Sequence, residues 1–278
     1  MQDISIFPMD RGRIHINRIT DTHAHLCDPV FEQDRNDVLE RAARAGIEKI
    51  ICVGENISDA KRNLELSEKY RALLPAAGLY PSCLDISRAH EIVGFIKENR
   101  KKIVAIGEVG LDYWIVKEEA GREIQKEIFD MFIRLSRETG LPINVHSRSA
   151  GRQALELLMN GNADKVQLHA FDGKAGTALP ASEAGFFFSI PPSLVRSRQK
   201  QKLVRQLPLS CLLIESDSPA LGPCQGERNE PVNTLLVVRA IAEIKGIGEN
   251  EVIEITAENT KRLYGEMKGV TDEEDCSR

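Results

Sequence analysis

The segment ITDTHAHL holds two histidines two positions apart, His23 and His25. On an extended strand alternate side chains share a face, so imidazoles at this spacing converge on one point. An isolated HxH pair is weak evidence, because histidine has many structural roles. Four more side chains change that reading. Glu108 follows the apolar run KIVAI, His146 follows LPINV, His169 ends KVQLH and Asp217 follows CLLIE. The six together form a mixed nitrogen and oxygen donor set suited to Zn²⁺, Mn²⁺ or a related divalent ion. They are numerous enough for two ions. Two ions roughly 3.5–4 Å apart, bridged by Glu108 and a hydroxide, would supply a nucleophile at neutral pH and steady an in-line displacement at phosphorus. Glu108 and Asp217 are then the catalytic candidates, with Asp217 orienting the hydroxide. Gly107 and Gly110 flank Glu108 and are expected to leave its carboxylate room to meet both ions. His15 and His90 fall at no such position and are given no role.

These donors need a frame that gathers distant segments. Apolar runs of strand length alternate with stretches of helical period: a strand near 18–23, then 49–53, 72–78, 102–106, 141–145, 165–169, 185–189 and 211–215. About eight strand–helix units emerge, the count of a single-domain α/β fold, a (β/α)₈ TIM-like barrel, with an open doubly wound sheet as the other candidate. Active sites of barrels are built at the carboxyl ends of their strands, where these donors fall. No glycine-rich dinucleotide turn, internal repeat or linker interrupts the pattern. Residues 250–264 read as a last helix. The expected organisation is an N-terminal extension (1–17), a barrel (18–265) and a mobile polar tail (266–278).

Composition agrees with a soluble globular chain. Of 278 residues, 42% are hydrophobic and 28% charged, with a net charge of −5, which excludes a wholly disordered, collagen-like or coiled-coil protein. Six scattered cysteines without a CxxC pair suit a reducing compartment. The first residues lack a long apolar stretch, so a cytoplasmic protein is expected, or a nuclear one if the source is eukaryotic, with no membrane association and no stable protein partner. A mildly acidic chain is a poor indiscriminate binder of nucleic acid, although bound cations can reverse the sign inside a cleft.

The motifs DTHAHL, GEVGLDY, NVHSR, LHAFDG and ESDSP resemble the TatD family of metal-dependent hydrolases, in the amidohydrolase superfamily, over roughly residues 19–265. The blocks FFFSIPPS, RQKQKLVRQLPL, SDSPALGP and RNEP are most similar to its TatD-domain-containing type 3 branch. This resemblance implies a TIM-like barrel with two divalent ions (Mg, Mn or Zn). It also implies phosphodiester hydrolysis, typically by a deoxyribonuclease that trims single-stranded DNA from the 3′ end, with DNA as substrate. By the same resemblance His23, His25, Glu108 and Asp217 hold one ion, and Glu108, His146 and His169 the other. Two positions depart from the family pattern. Tyr80 stands in GLYP where many relatives have the histidine of a GxHP turn, thought to meet the scissile phosphate, and HAFDG puts Ala170 and Asp172 in the common HCF(S/T)G motif. The tyrosine keeps a hydroxyl and a stacking ring, but with a pKa of about 10 it is a poor proton carrier near neutrality.

Arg148, Arg228, Tyr80 and Tyr113 are the substrate-binding candidates, the arginines as phosphate forks. Trp114 and Phe171 are further aromatics beside the ligands that can stack bases or seal the barrel top. The basic run Arg196, Arg198, Lys200, Lys202 and Arg205 reads as a polyanion track or a solvated helix face. Glu215, on the face of Asp217, is a candidate for ligand support, a third ion or a buried ion pair. Two other functions stay open: an amidohydrolase-type esterase or amidase, for example on aminoacyl esters, and a metal-stabilised binding module without turnover.

Overall fold

Eight apolar runs become eight strands in the computed structural model, which describes residues 19–267. The expected extension at 1–17, and the expected tail apart from Glu266 and Met267, lie outside this span. The strands are β1 (Ile19–Ala24), β2 (Ile47–Cys52), β3 (Leu73–Ala77), β4 (Ala105–Gly110), β5 (Ile143–His146), β6 (Val166–His169), β7 (Phe187–Ile190) and β8 (Leu212–Ile214). Each pairs in parallel with the next, in sequence order. Helices lie between them: α1 (Arg35–Arg44), α2 (Ile57–Lys69), α3 (Ile86–Glu98), α4 (Glu119–Thr139), α5 (Gly151–Asn160), α6 (Ala175–Glu183) and α7 (Arg198–Gln206), with α8 (Thr234–Lys245) and α9 (Glu249–Tyr264) after β8. Strands covered on both faces read as continuous apolar runs, which is why they were visible in the sequence.

The first and last strands meet, so the sheet rolls into a nearly closed barrel rather than an open one. Their seam is stitched by Thr22 Oγ1 to the Ile214 carbonyl (3.0 Å) and the Ser216 amide to Asp21 Oδ1 (2.8 Å). Above these, the Asp217 amide donates to the His23 carbonyl (2.8 Å) and the His25 amide to the Ser218 carbonyl (2.7 Å). The closing bonds of the barrel are thus also the bonds that place three of the expected ligands.

β4 differs from its expected position at 102–106. Ile103 and Val104 lead into the strand, while pairing with β5 continues through Val109 to Gly110 opposite His146, so Glu108 lies within β4 rather than after it. The flanking glycines have a different purpose from the one expected. A Cβ on Gly107 would sit 2.7 Å from Asn144 Cβ, and one on Gly110, at φ +142°, would sit 2.1 Å from the His146 carbonyl oxygen. They let β5 approach; the room they make is for backbone, not for the Glu108 carboxylate.

The last helix runs close to its expected limits and ends against the barrel. Leu263 and Tyr264 pack on Phe187 and Leu213, and the Tyr264 hydroxyl donates to Gln167 Oε1 at 2.5 Å. Gln167 Nε2 in turn donates to Thr22 and Ser189. A hydrogen-bonded layer therefore joins α9 to the strands beneath the site. Among the described residues no helix is long and apolar enough to cross a membrane.

Candidate metal centre

His23 lies in β1 with His25 one residue beyond it, Glu108 lies in β4, His146 and His169 end β5 and β6, and Asp217 follows β8 by three residues. All six meet at one end of the barrel. His25, Glu108, His146, His169 and Asp217 line a cavity of about 540 Å³, and His23 is wholly buried beside them.

The ligand atoms fall into two groups that share one carboxylate. His23 Nε2 is 3.2 Å from His25 Nε2, 3.3 Å from Asp217 Oδ1 and 3.7 Å from Glu108 Oε2. His25 Nε2 is 3.2 Å from Glu108 Oε2 and 3.6 Å from Asp217 Oδ1. A tetrahedral ion with ligands at about 2.0–2.2 Å has ligand-to-ligand edges of roughly 3.3–3.6 Å, the scale of these separations. The other oxygen of Glu108, Oε1, faces His146 Nδ1 at 2.6 Å and His169 Nε2 at 2.9 Å, and those two nitrogens are 3.1 Å apart.

The outer nitrogens show why these inner ones are available. His23 Nδ1 lies 2.9 Å from Asn144 Oδ1 and His146 Nε2 lies 3.0 Å from Asp112 Oδ2. Both acceptors take a ring proton, which assigns the tautomers and leaves His23 Nε2 and His146 Nδ1 with lone pairs facing the donor groups. Lone pairs facing lone pairs and carboxylates repel unless a cation or a proton stands between them. The donor set therefore fits divalent ions.

The electrostatics show the same demand for positive charge. Burial works against a charge on His146, yet the charge of Glu108 and the bonds to Asp112 and Glu108 outweigh it and push the imidazole up to about 9. For His25 too, burial is outweighed by hydrogen bonds to Asp217 and Glu108, and it rises well above its ordinary value. Burial would raise Glu108 and Asp217, but the surrounding imidazoles hold both carboxyls below their usual range. His169 goes the other way: burial, then the charge of His23, whose ring stacks on it at 3.9 Å, bring it down to about 4. Its buried Nδ1 has no hydrogen-bond partner.

The remaining expected residues divide. Tyr80 and Arg148 line the cavity, and the Tyr80 hydroxyl donates to Asp112 Oδ2 at 3.1 Å. Arg228 does not reach the cavity. It forks onto Asp34, bonds Glu230 and the Val30 carbonyl, and lies over the Phe31 ring, bracing the loops instead. Tyr113 is buried away from the lining under the Arg122 guanidinium, and Phe171 is packed in the core edge-on to Phe188. In the basic run, Arg198, Lys202 and Arg205 are on the exposed face of α7, and Arg196 is exposed with a bond to the Gly222 carbonyl. Lys200 alone of the five lines the cavity, its Nζ donating to the Ala170 carbonyl at 2.9 Å. Glu215 is buried and accepts from the Ala170 amide and Ser189.

Three site residues were missed by the sequence reading. Asn144 is two before His146 on the same strand, so period-2 geometry was a usable signal. Asp112 lies within the quoted GEVGLD segment. Glu55, which joins His25 and Glu108 in a group that could hold an ion, follows the strand IIC as Glu108 follows KIVAI, and that parallel was a usable signal.

Comparison with known proteins gives the same assignment as the motifs. The sequence profile described as TatD related DNase matches residues 20–265. A human protein named deoxyribonuclease TATDN3 is 40% identical over 90% of this chain and 96% of its own length. A Bacillus subtilis protein named as an uncharacterized metal-dependent hydrolase, YabD, is 36% identical over 88% of this chain and 98% of its own. Among solved structures, the TatD homolog YJJV of Escherichia coli superposes with a TM-score of 0.83 at 28% identity, covering 90% of this chain and 98% of that one. With the profile spanning nearly the whole barrel and relatives matched end to end, the chain belongs to the TatD-related DNase family.

Proposed function

We propose that this protein is a divalent-metal-dependent phosphodiesterase acting on DNA, removing nucleotides from the 3′ ends of single strands. The observation that carries the reading is Glu108, whose two oxygens face two separate sets of donors. The deoxyribonuclease name of the human relative supports the substrate. His23, His25, Glu108 and Asp217 would hold one ion, and Glu108, His146 and His169 a second. When bound, such ions supply Lewis acidity at phosphorus and a hydroxide nucleophile near neutral pH.

The chain's own groups supply position. Asp217, a carboxylate on the cavity wall, would orient the attacking water. Asp112 and Asn144 hold His146 and His23 in the tautomers that point lone pairs inward. The Lys200 ammonium, anchored on the Ala170 carbonyl, adds a positive charge to the wall where a phosphate enters. Tyr80 stands where the family resemblance expects a histidine, with its one proton directed to Asp112, so toward substrate it presents lone pairs rather than a donor.

Release of nucleotide from 3′-labelled single-stranded DNA with Mg²⁺, Mn²⁺ or Zn²⁺ is the test, with His146→Ala as control. The reading fails if the native protein releases no more than the variant with every metal. The committed Tyr80 hydroxyl favours one alternative, an esterase on neutral carbonyl substrates such as aminoacyl esters. A higher kcat/KM for those esters than for nucleotides would select it.

A further inference from the structure

Among the described residues six large apolar side chains stand exposed, and five of them, Val30, Leu84, Trp114, Ile115 and Val195, are on loops that follow strands. These segments are at the carboxyl end of the barrel's strands, as the cavity is, although none of the five side chains lines the cavity itself. Trp114, 57% exposed, is the largest. The Arg148 guanidinium lies 5.1 Å from the centroid of its ring and the Lys117 ammonium 4.8 Å away. A guanidinium within about 6 Å of an indole centroid is attracted to the ring face, and that contact uses none of its N–H donors. Arg148 gives none of those donors to another group among the described residues, in contrast to Arg228, whose donors are taken by Asp34, Glu230 and a carbonyl. An exposed fork with free donors, held beside an indole on the wall of a cavity, is a receptor for an anion.

The position of this fork decides which anion. The reacting phosphate must approach the buried carboxylates Glu108 and Asp217 at the floor, whereas Arg148 and Trp114 are both exposed at the rim. We infer that Arg148, held against the Trp114 ring, forms a subsite for the phosphate next to the scissile one, so that the protein selects oligonucleotides over esters with a single phosphate. The inference rests on the phosphodiesterase reading. Arg148 makes the contact and Trp114 is its positioning residue. Lys117 adds a second positive charge to the same rim of a chain that is acidic overall.

Two substrates isolate the subsite: the p-nitrophenyl ester of thymidine 5′-phosphate, with one phosphate, and a trithymidylate, with a neighbouring one. The ratio of kcat/KM for the trinucleotide over the ester is expected to fall about tenfold in Arg148→Ala, the loss of one charge-assisted pair, chiefly through KM. Arg148→Lys restores part of the ratio, lacking the planar fork. Trp114→Ala lowers it as well, and Trp114→Phe, which keeps a ring under the guanidinium, restores it. The slope of log affinity against log salt falls by about one in Arg148→Ala. An unchanged ratio in Arg148→Ala overturns the subsite. If the native protein hydrolyses neither compound, the phosphodiesterase reading has failed, and fluorescence anisotropy with a phosphorothioate trithymidylate decides the subsite alone. Binding weakened by Arg148→Ala upholds it, and equal binding overturns it.

Discussion

A buried neutral imidazole serves a cation from one nitrogen while the other keeps the proton and donates it in a hydrogen bond, so the neighbours of His23 and His146 matter as much as the rings. Asp112 shows how tightly one such neighbour is itself placed. Its Oδ1 accepts from the amides of Trp114 (2.9 Å) and Ile115 (2.8 Å), which leaves Oδ2 for His146 Nε2. In Asp112→Asn the two backbone donors keep the amide oxygen on their side, so its NH₂ group faces His146 Nε2. The ring must then accept there and carry its proton on Nδ1, the nitrogen that faces Glu108. The expected result is a 10–100-fold loss of metal affinity with the fold intact, read by calorimetric metal titration alongside circular dichroism; unaltered affinity would show that Asp112 does not set the tautomer. A second consequence follows from the height of His146, up to about 9. Below that value the imidazole is protonated, so an ion must displace the proton to bind. Affinity should therefore climb with pH toward about 9 and level off above it, with protons released in calorimetry at neutral pH. Binding independent of pH between about 6 and 8 would contradict this assignment.

At the scale of elements, α9 is joined to the site by Tyr264, Gln167 and Thr22, with Asn144 Nδ2 also donating to the Thr22 carbonyl at 3.0 Å. Tyr264→Phe removes the proton that Gln167 Oε1 accepts inside the barrel. The expected cost is about 1–3 kcal/mol of stability, the penalty for an unsatisfied buried acceptor, measured by urea denaturation. Stability equal to the native protein would mean that the layer tolerates the loss. This coupling was not legible in the sequence, although α9 itself was, because helical period reveals an element and not what its last residue meets 97 positions away. The strands were legible for the opposite reason: burial on both faces makes each an unbroken apolar run between turn residues. β4 was misplaced because its working half, Gly107 to Gly110, is chosen for close approach to β5 and for Glu108, so hydrophobicity stops marking the strand where the site begins. The two arginines make the same point among side chains. Arg148 and Arg228 both follow strands and look alike in the sequence, but Asp34, 194 positions from Arg228, decides that one is a brace.

For the whole molecule the question is how an acidic protein accepts an acidic substrate. The cavity wall holds five carboxylates, Asp28, Glu55, Glu108, Asp172 and Asp217, against two cationic side chains, Arg148 and Lys200. Even with His25 and His146 protonated such a wall carries no excess of positive charge, and bound cations are what turn its sign. The same ions would also tie the barrel together, because their ligands come from β1, β4, β5, β6 and the segment after β8, including the seam where the sheet closes. Unfolding scatters these segments, so an ion binds the folded chain alone and stabilises it by mass action, about 2.7 kcal/mol at a hundredfold excess over its dissociation constant. Chelation should therefore lower both Tm and affinity for an oligonucleotide. Adding Zn²⁺ or Mn²⁺ back should raise both with metal concentration, and in Asp112→Asn the two curves should move together to higher concentration. Differential scanning calorimetry and anisotropy on one set of samples would read this. If chelator and metal leave Tm and oligonucleotide binding unmoved, neither the charge reversal nor the cross-strand tie belongs to a metal, and the four imidazoles would have to be explained as buried structural groups.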